Sequence, residues 1–220
     1  MPSPFDQSTY QVRLEWGVAG LQRLRPADVV VVVDVLRFSS SVADAVASGV
    51  SVLLEDAVDW SRNGAAVAAA AQAQDSVVLV GSLRNASAVA RAVTRLQERN
   101  GSRTSVAVIA AGEADGAGML RFAVEDQLGA GAIIAALTDL GIDHTAPDAA
   151  VAAEGFRALR RALRHLIGAS GSARELADGV AATERMLSSG VTPTTTAQAA
   201  EVDALDVVPV LTEGAFVAFA

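Results

Sequence analysis

The sequence predicts an α/β protein built on a mostly parallel sheet, and three observations carry that expectation. The run Val29–Val33 is five consecutive valines, the β-branched, uniformly apolar pattern of a strand covered on both faces. From there to about residue 140, short apolar runs alternate with longer helical patterns, which is the signature of βαβ units. The last third changes character and reads as mainly helical, with two short strand candidates near its end.

Taken in order, Tyr10, Val12, Leu14 and Trp16 alternate with Gln11, Arg13 and Glu15, a period of two that reads as a half-buried strand. Pro26 punctuates the chain before the valine run, which ends in Asp34. Residues 50–54 read as a short strand, 65–73 as an Ala-rich helix, and 76–80 as a strand closed by Gly81. Residues 86–99 form a helix ended by Asn100-Gly101, and 104–110 a strand followed by Gly112. Residues 122–140 read as a helix interrupted by Gly129 and Gly131 and stopped by Gly141. Each internal glycine costs a helix about 1 kcal/mol, so a close backbone approach is the reason to keep them. Residues 148–167 form a helix with Phe156, Leu159, Leu163 and Leu166 on one stripe and Arg157, Arg160, Arg161 and Arg164 opposite. Residues 173–188 are a further helix or pair of helices, and residues 192–196 a loop and helix N-cap. Pro209 interrupts the strand candidate at 207–210 and argues for an edge position, because proline cannot donate to a ladder. Residues 215–219 supply the last strand. With no low-complexity linker and no internal repeat, residues 1–220 read as one domain, the alternative being two interleaved subdomains at roughly 1–145 and 146–220.

Composition narrows the function. Hydrophobic residues make up 51% of the 220, enough for a sizeable core. The net charge of −8 and pI near 4.7 disfavour nucleic acid and anionic membrane as partners. A small anion would then need positive charge concentrated locally, by arginine, helix N-termini or a divalent metal. The absence of cysteine excludes disulfides, thiolate nucleophiles and thiolate metal sites, and fits a cytoplasmic protein. Residues 1–10 show no basic, apolar leader pattern, and no stretch approaches the ~18 apolar residues of a membrane span.

Chemistry concentrates first at Asp34-Val35-Leu36-Arg37-Phe38-Ser39-Ser40-Ser41, beyond the carboxyl end of the valine strand, where open α/β sheets bind ligands. Asp34 there can hold a divalent cation, Arg37 offers a fork for phosphate or carboxylate, and the free N–H groups of a helix beginning at Ser39, Ser40 and Ser41 favour an anion. The competing reading is an Asp34–Arg37 ion pair with the serines capping the helix. Glu125 and Asp126, adjacent and near a helix start, offer a metal ligand or a base, or merely complement the helix dipole. Asn63-Gly64 is a turn that can also present an amide to a ligand, and Arg84-Asn85 lies at the same sheet edge. His144 and His165 carry little. No Gly-x-Ser-x-Gly elbow, Walker loop or Gly-x-Gly-x-x-Gly fingerprint occurs, which disfavours a serine hydrolase, a P-loop enzyme and a dinucleotide-dependent oxidoreductase.

These segments together resemble the 2-phosphosulfolactate phosphatase family. Asp34-Val35-Leu36-Arg37 followed by hydroxyl residues is similar to that family's Asp-Val-Leu-Arg-Ala-Thr-Thr-Thr. Asn85-Ala86-Ser87-Ala88-Val89-Ala90, Ala111-Gly112, Glu125-Asp126 with Gly131, and Val208-Pro209 resemble further family segments in the same order. The resemblance implies a three-layer α/β/α architecture with a mostly parallel or mixed sheet, a Mg²⁺ requirement, and hydrolysis of 2-phosphosulfolactate to sulfolactate and phosphate. On that reading Asp34, Arg37 and Glu125 are catalytic, and Asp34 with Glu125 or Asp126 holds the metal. Ser39, Ser40, Ser41, Asn63, Gly64, Asn85 and Gly112 then bind a small phosphorylated acid, and the protein is compatible with a homodimer. Two family segments, Gly-Glu-Arg and Gly-Asn-Ser-Pro, have no counterpart here, because Leu54-Glu55-Asp56-Ala57 runs almost directly into the Asn63-Gly64 turn. The alternative is therefore a shortened member that binds a small anion without turning it over.

Overall fold

The computed structural model describes residues 3–114 and 119–220, so Met1 and Pro2 of the opening segment lie outside the described residues. The strands are β1 Val12–Trp16, β2 Val29–Val33, β3 Val52–Leu53, β4 Val77–Gly81, β5 Val106–Ala110, β6 Glu113–Ala114, β7 Leu120–Arg121, β8 Pro209–Thr212 and β9 Ala215–Ala218. The helices are α1 Gly17–Arg23, α2 Phe38–Ala47, α3 Leu54–Trp60, α4 Gly64–Gln72, α5 Ala86–Asn100 and α6 Val124–Asp139. They continue with α7 Pro147–Leu159, α8 Leu163–Gly168, α9 Gly171–Asp178, α10 Ala181–Ser188 and α11 Thr196–Ala199. Seven strands form one mixed sheet in the order β1-β5-β2-β4-β8-β9-β3, and β6 and β7 form a small separate hairpin. The first four in that order are parallel, with Val31 of β2 facing Leu79 on one side and Val108 on the other.

The valine strand explains the layering. Successive side chains of a strand point to opposite faces, so Val29, Val31 and Val33 pack with α5, α6 and α7, while Val30 and Val32 pack with residues of α1, α2, α3 and α4. All five are fully or almost fully buried, each contributing about 1.5–3 kcal/mol of burial. The result is the three-layer α/β/α arrangement. From β2 the chain reaches β4 on one side, then crosses to β5 on the other. That reversal opens a crevice at the carboxyl ends of the central strands.

The two glycines inside α6 are close approaches, as their cost required. A Cβ on Gly129 would lie 2.6 Å from Val35 Cγ2, and one on Gly131 would lie 2.2 Å from the Ala152 carbonyl oxygen of α7.

Several elements depart from the sequence reading. β8 is not an edge strand, since it lies between β4 and β9. Pro209 is its first residue and β4 meets it only at Leu79↔Val210, so the missing N–H breaks no long ladder. β1 is not half-buried: Gln11 and Arg13 are only 9% and 4% exposed. Their polar ends are satisfied locally, Gln11 by Gln97 and the Thr104 carbonyl and Arg13 by the carbonyls of Tyr10 and Arg25. The helix expected over 148–167 breaks after Leu159 into a 3₁₀ turn before α8. The strand expected at 50–54 shrinks to β3, because Leu54 already begins α3. Among the described residues, no helix is long and apolar enough to cross a membrane.

Candidate active site

Asp34 is the first residue beyond β2, and its carboxylate joins the starts of two helices. Oδ1 accepts from the N–H of Phe38, the first residue of α2, at 3.2 Å, and Oδ2 accepts from the N–H of Gly64, the first residue of α4, at 3.1 Å. Both positions suit a carboxylate, because the first N–H groups of a helix have no partner within it. Only glycine fits at position 64, where a Cβ would sit 2.5 Å from the Phe38 ring and 2.7 Å from Asp34 Oδ2. Asp34 is 8% exposed. Burial pushes its carboxyl up to about 7; the two amides oppose that rise, and the charges of Glu113 and Glu125 add to it.

Beside Asp34 lies a cleft of ≈ 180 Å³ whose wall includes Arg37, Trp60, Asn63, Glu113, Glu175 and Arg185. A second depression of ≈ 450 Å³, bordered by Arg121, Phe122, Glu125 and Ser172, shares Glu113 and Glu175 with it. Arg37 donates to the Thr183 hydroxyl of α10 and forms no ion pair among the described residues. The Asp34–Arg37 ion pair of the competing sequence reading is therefore not made. Burial lowers the Arg37 pKa from its ordinary value. Asn63 donates to Glu113 Oε1 at 3.3 Å.

Other predicted residues are used differently. Ser39, Ser40 and Ser41 are fully buried and do not form the cleft wall. Ser39 and Ser40 donate their hydroxyls to the carbonyls of Val32 and Val35, and the Ser41 hydroxyl accepts from the Thr194 N–H. The N–H groups of Ser39 and Ser41 go to the carbonyls of Asp34 and Arg37, so they are not free to hold a phosphate. Asp126 is a clasp: its oxygens accept from Val35 N–H at 2.7 Å and Gly112 N–H at 2.9 Å, tying α6 to the ends of β2 and β5. Burial raises its pKa well above the usual carboxylate range, with the charges of Asp34 and Glu125 adding to the rise. Gly112 has a positive φ of 66°, and its amide goes to that clasp rather than to the cleft. Asn85 closes a capping box with Ser82 and donates to the carbonyls of Val80 and Val207. Arg84 is bound at 2.8 Å to Asp44 and 2.9 Å to Glu201. Glu125 is 3% exposed and borders the second depression. Among the described residues, no three His, Cys, Asp or Glu side chains converge as a ready-made metal site.

Sequence reasoning missed Trp60, Glu113, Glu175, Thr183 and Arg185. Glu113 had a readable signal, since it follows Gly112 at the carboxyl edge of β5. The rest come from α3, α9 and α10, and no local pattern announces where those helices return.

A carboxylate beyond the central parallel strand, an arginine in the same loop with no ion pair among the described residues and a cleft at the strand ends define an α/β protein with a candidate small-ligand site at a topological switch point. The family model for 2-phosphosulpholactate phosphatase matches residues 55–214. The chain belongs to that family. The matched span includes Asn63, Gly64, Asn85, Gly112, Glu125 and Asp126, and it begins beyond Asp34 and Arg37, whose role rests on the geometry above. Comparison with curated proteins gives no match.

Proposed function

We propose that the chain is a phosphatase for a small phosphorylated hydroxy acid, in the family's terms 2-phosphosulfolactate, and that it uses Mg²⁺. The observation carrying this reading is the juxtaposition on one cleft of Arg37, a half-buried cation with no carboxylate partner among the described residues, and Asp34, a carboxylate whose pKa is raised by burial. Arg37 binds phosphoryl oxygens, its guanidinium held in place by Thr183.

The donor set fits Mg²⁺. The ion takes hard oxygen ligands and is commonly held by only one or two carboxylates, the remainder being water and substrate phosphate. Asp34 and Glu125 are the residues that would hold it, with Glu113 at the seam between the two depressions. Glu125 is the fitting observation, a buried acid bordering the second depression. Asp126 is set aside because, unlike Asp34, it lines neither depression. Bound there, the ion would neutralise phosphoryl charge and make a coordinated water more acidic. Asp34, fixed by two amides, keeps its carboxylate oriented at the cleft, and Asn63 holds Glu113 beside it.

The test is phosphate release from 2-phosphosulfolactate and a panel of phosphorylated hydroxy acids, with and without Mg²⁺. Metal-dependent release is expected, and Asp34→Asn should lower it roughly a hundredfold or more while circular dichroism stays native. A folded wild type that binds these acids and releases no phosphate would replace the phosphatase with the non-catalytic anion binder. The cysteine-free composition supports a cytoplasmic location, and sedimentation would test the proposed homodimer.

A further inference from the structure

Helix α10 sets two arginines on one cleft. Thr183 accepts from Arg37, and two residues on, Arg185 donates its Nε to the Asp59 carbonyl of α3 at 2.7 Å. That anchor uses Nε alone, so both Nη atoms of Arg185 lack a partner among the described residues, and the side chain lines the same cleft as Arg37 and Asp34. The anchored geometry matters because a guanidinium fixed at Nε offers its Nη pair as a preformed fork for an oxyanion.

A second observation points the same way. Trp60, one residue beyond Asp59, is in the wall of this cleft and only 6% exposed, and its indole Nε1–H has no hydrogen-bond acceptor among the described residues. Indole nitrogen is a donor only, and a buried donor is normally satisfied. Its ring packs 5.7 Å from that of Phe38, which lines the same cleft. The wall around α10 thus carries donors lacking an acceptor among the described residues.

We propose that Arg185, assisted by the Trp60 indole N–H, is the specificity-determining element that recognises a second oxyanionic group carried on the substrate beside its phosphoryl group. The inference rests on the phosphatase reading for its substrate and deepens it, by naming what separates a phosphorylated acid from a neutral phosphate ester. Arg185 acts on binding and not on the phosphorus, so its effect falls on KM more than on kcat.

Phosphoglycolate and ethyl phosphate form the test pair, being of similar size and differing in the carboxylate. In Arg185→Gln, kcat/KM for phosphoglycolate should fall at least tenfold more than for ethyl phosphate, chiefly through KM. Trp60→Phe, which keeps an aromatic ring, should move selectivity the same way by a smaller factor, and Arg185→Lys should recover part of the loss. Equal falls for both esters, or no fall, overturn the proposal. Calorimetric titration of phosphoglycolate without Mg²⁺ separates the two ideas. If wild type binds it, releases no phosphate once Mg²⁺ is added, and Arg185→Gln binds at least tenfold more weakly, the recognition stands and the phosphatase reading fails. Equal affinity in both proteins overturns the recognition whatever the turnover.

Discussion

Substituting Gly64 by alanine inserts a methyl group at the junction where α4 meets Asp34. The added Cβ would lie 2.5 Å and 2.8 Å from Phe38 Cδ1 and Cγ and 2.7 Å from Asp34 Oδ2, against 3.4–4 Å for ordinary contact. Phe38 has little room to retreat, being 1% exposed and packed against the rings of Trp60 and Phe216 at 5.7 and 5.6 Å. Overpacking of this kind costs about 1–3 kcal/mol. Displacing the Gly64 N–H from its 3.1 Å bond to Asp34 leaves a buried donor unsatisfied, at a further ~1–3 kcal/mol. A net loss of about 2–5 kcal/mol follows, which for a chain of this size lowers Tm by roughly 5–15 °C. Gly155→Ala is the matched control: it lies within α7 with open space where its Cβ would go, and should stabilise by up to about 1 kcal/mol. Thermal unfolding followed by circular dichroism measures both. A Gly64→Ala protein melting within about 2 °C of wild type would refute the tight carboxylate–helix junction on which the site is built.

Two further outcomes follow from the buried carboxylates. Asp34 is raised from 3.8 to about 7, so between those values the folded state keeps a proton that the unfolded chain has released. Stability is therefore fully present in acid and falls as pH rises through that window, by ~4 kcal/mol for this group alone. Denaturant titrations at pH 4.5 and 7.5 should show the fall, Asp34→Asn should flatten it, and Mg²⁺ should offset it more at 7.5 than at 4.5; a rise in stability over that range would contradict the assignment. Asp126→Asn keeps one acceptor for two amides, so Val35 N–H or Gly112 N–H loses its partner. Stability should drop by about 1–3 kcal/mol, read as a lower urea midpoint, and an unchanged midpoint would remove Asp126 from its clasp role.

The legible part of this protein is its centre. Five consecutive valines announce a strand buried on both faces, and Asp34 at its end marks the crevice, because those signals are local and periodic. Gly129 and Gly131 were readable through their cost, which only close packing explains. The serines misled because a hydroxyl near a helix start serves a ligand or the backbone equally well, and here complete burial commits it to the backbone. Asp126 gave no sign that its two oxygens would be consumed by amides lying 14 and 91 residues away. Arg185 was invisible for a related reason: nothing in the local pattern of α10 reports that it packs on α3, across more than a hundred residues of chain.

The placement of β8 and β9 bears on how the chain is made. They fill the gap between β4 and β3, so among the described residues β3 pairs only with β9, and one flank of β4 stays open until residues 209–218 arrive. A nascent chain that has already assembled the parallel strands therefore presents an unpaired strand edge, the kind of surface that recruits other chains. Closing that edge requires contacts between residues near 79 and near 210, a long loop to gather and a slow one. The β8–β9 hairpin thus covers within the same chain an edge that would otherwise be open to other chains.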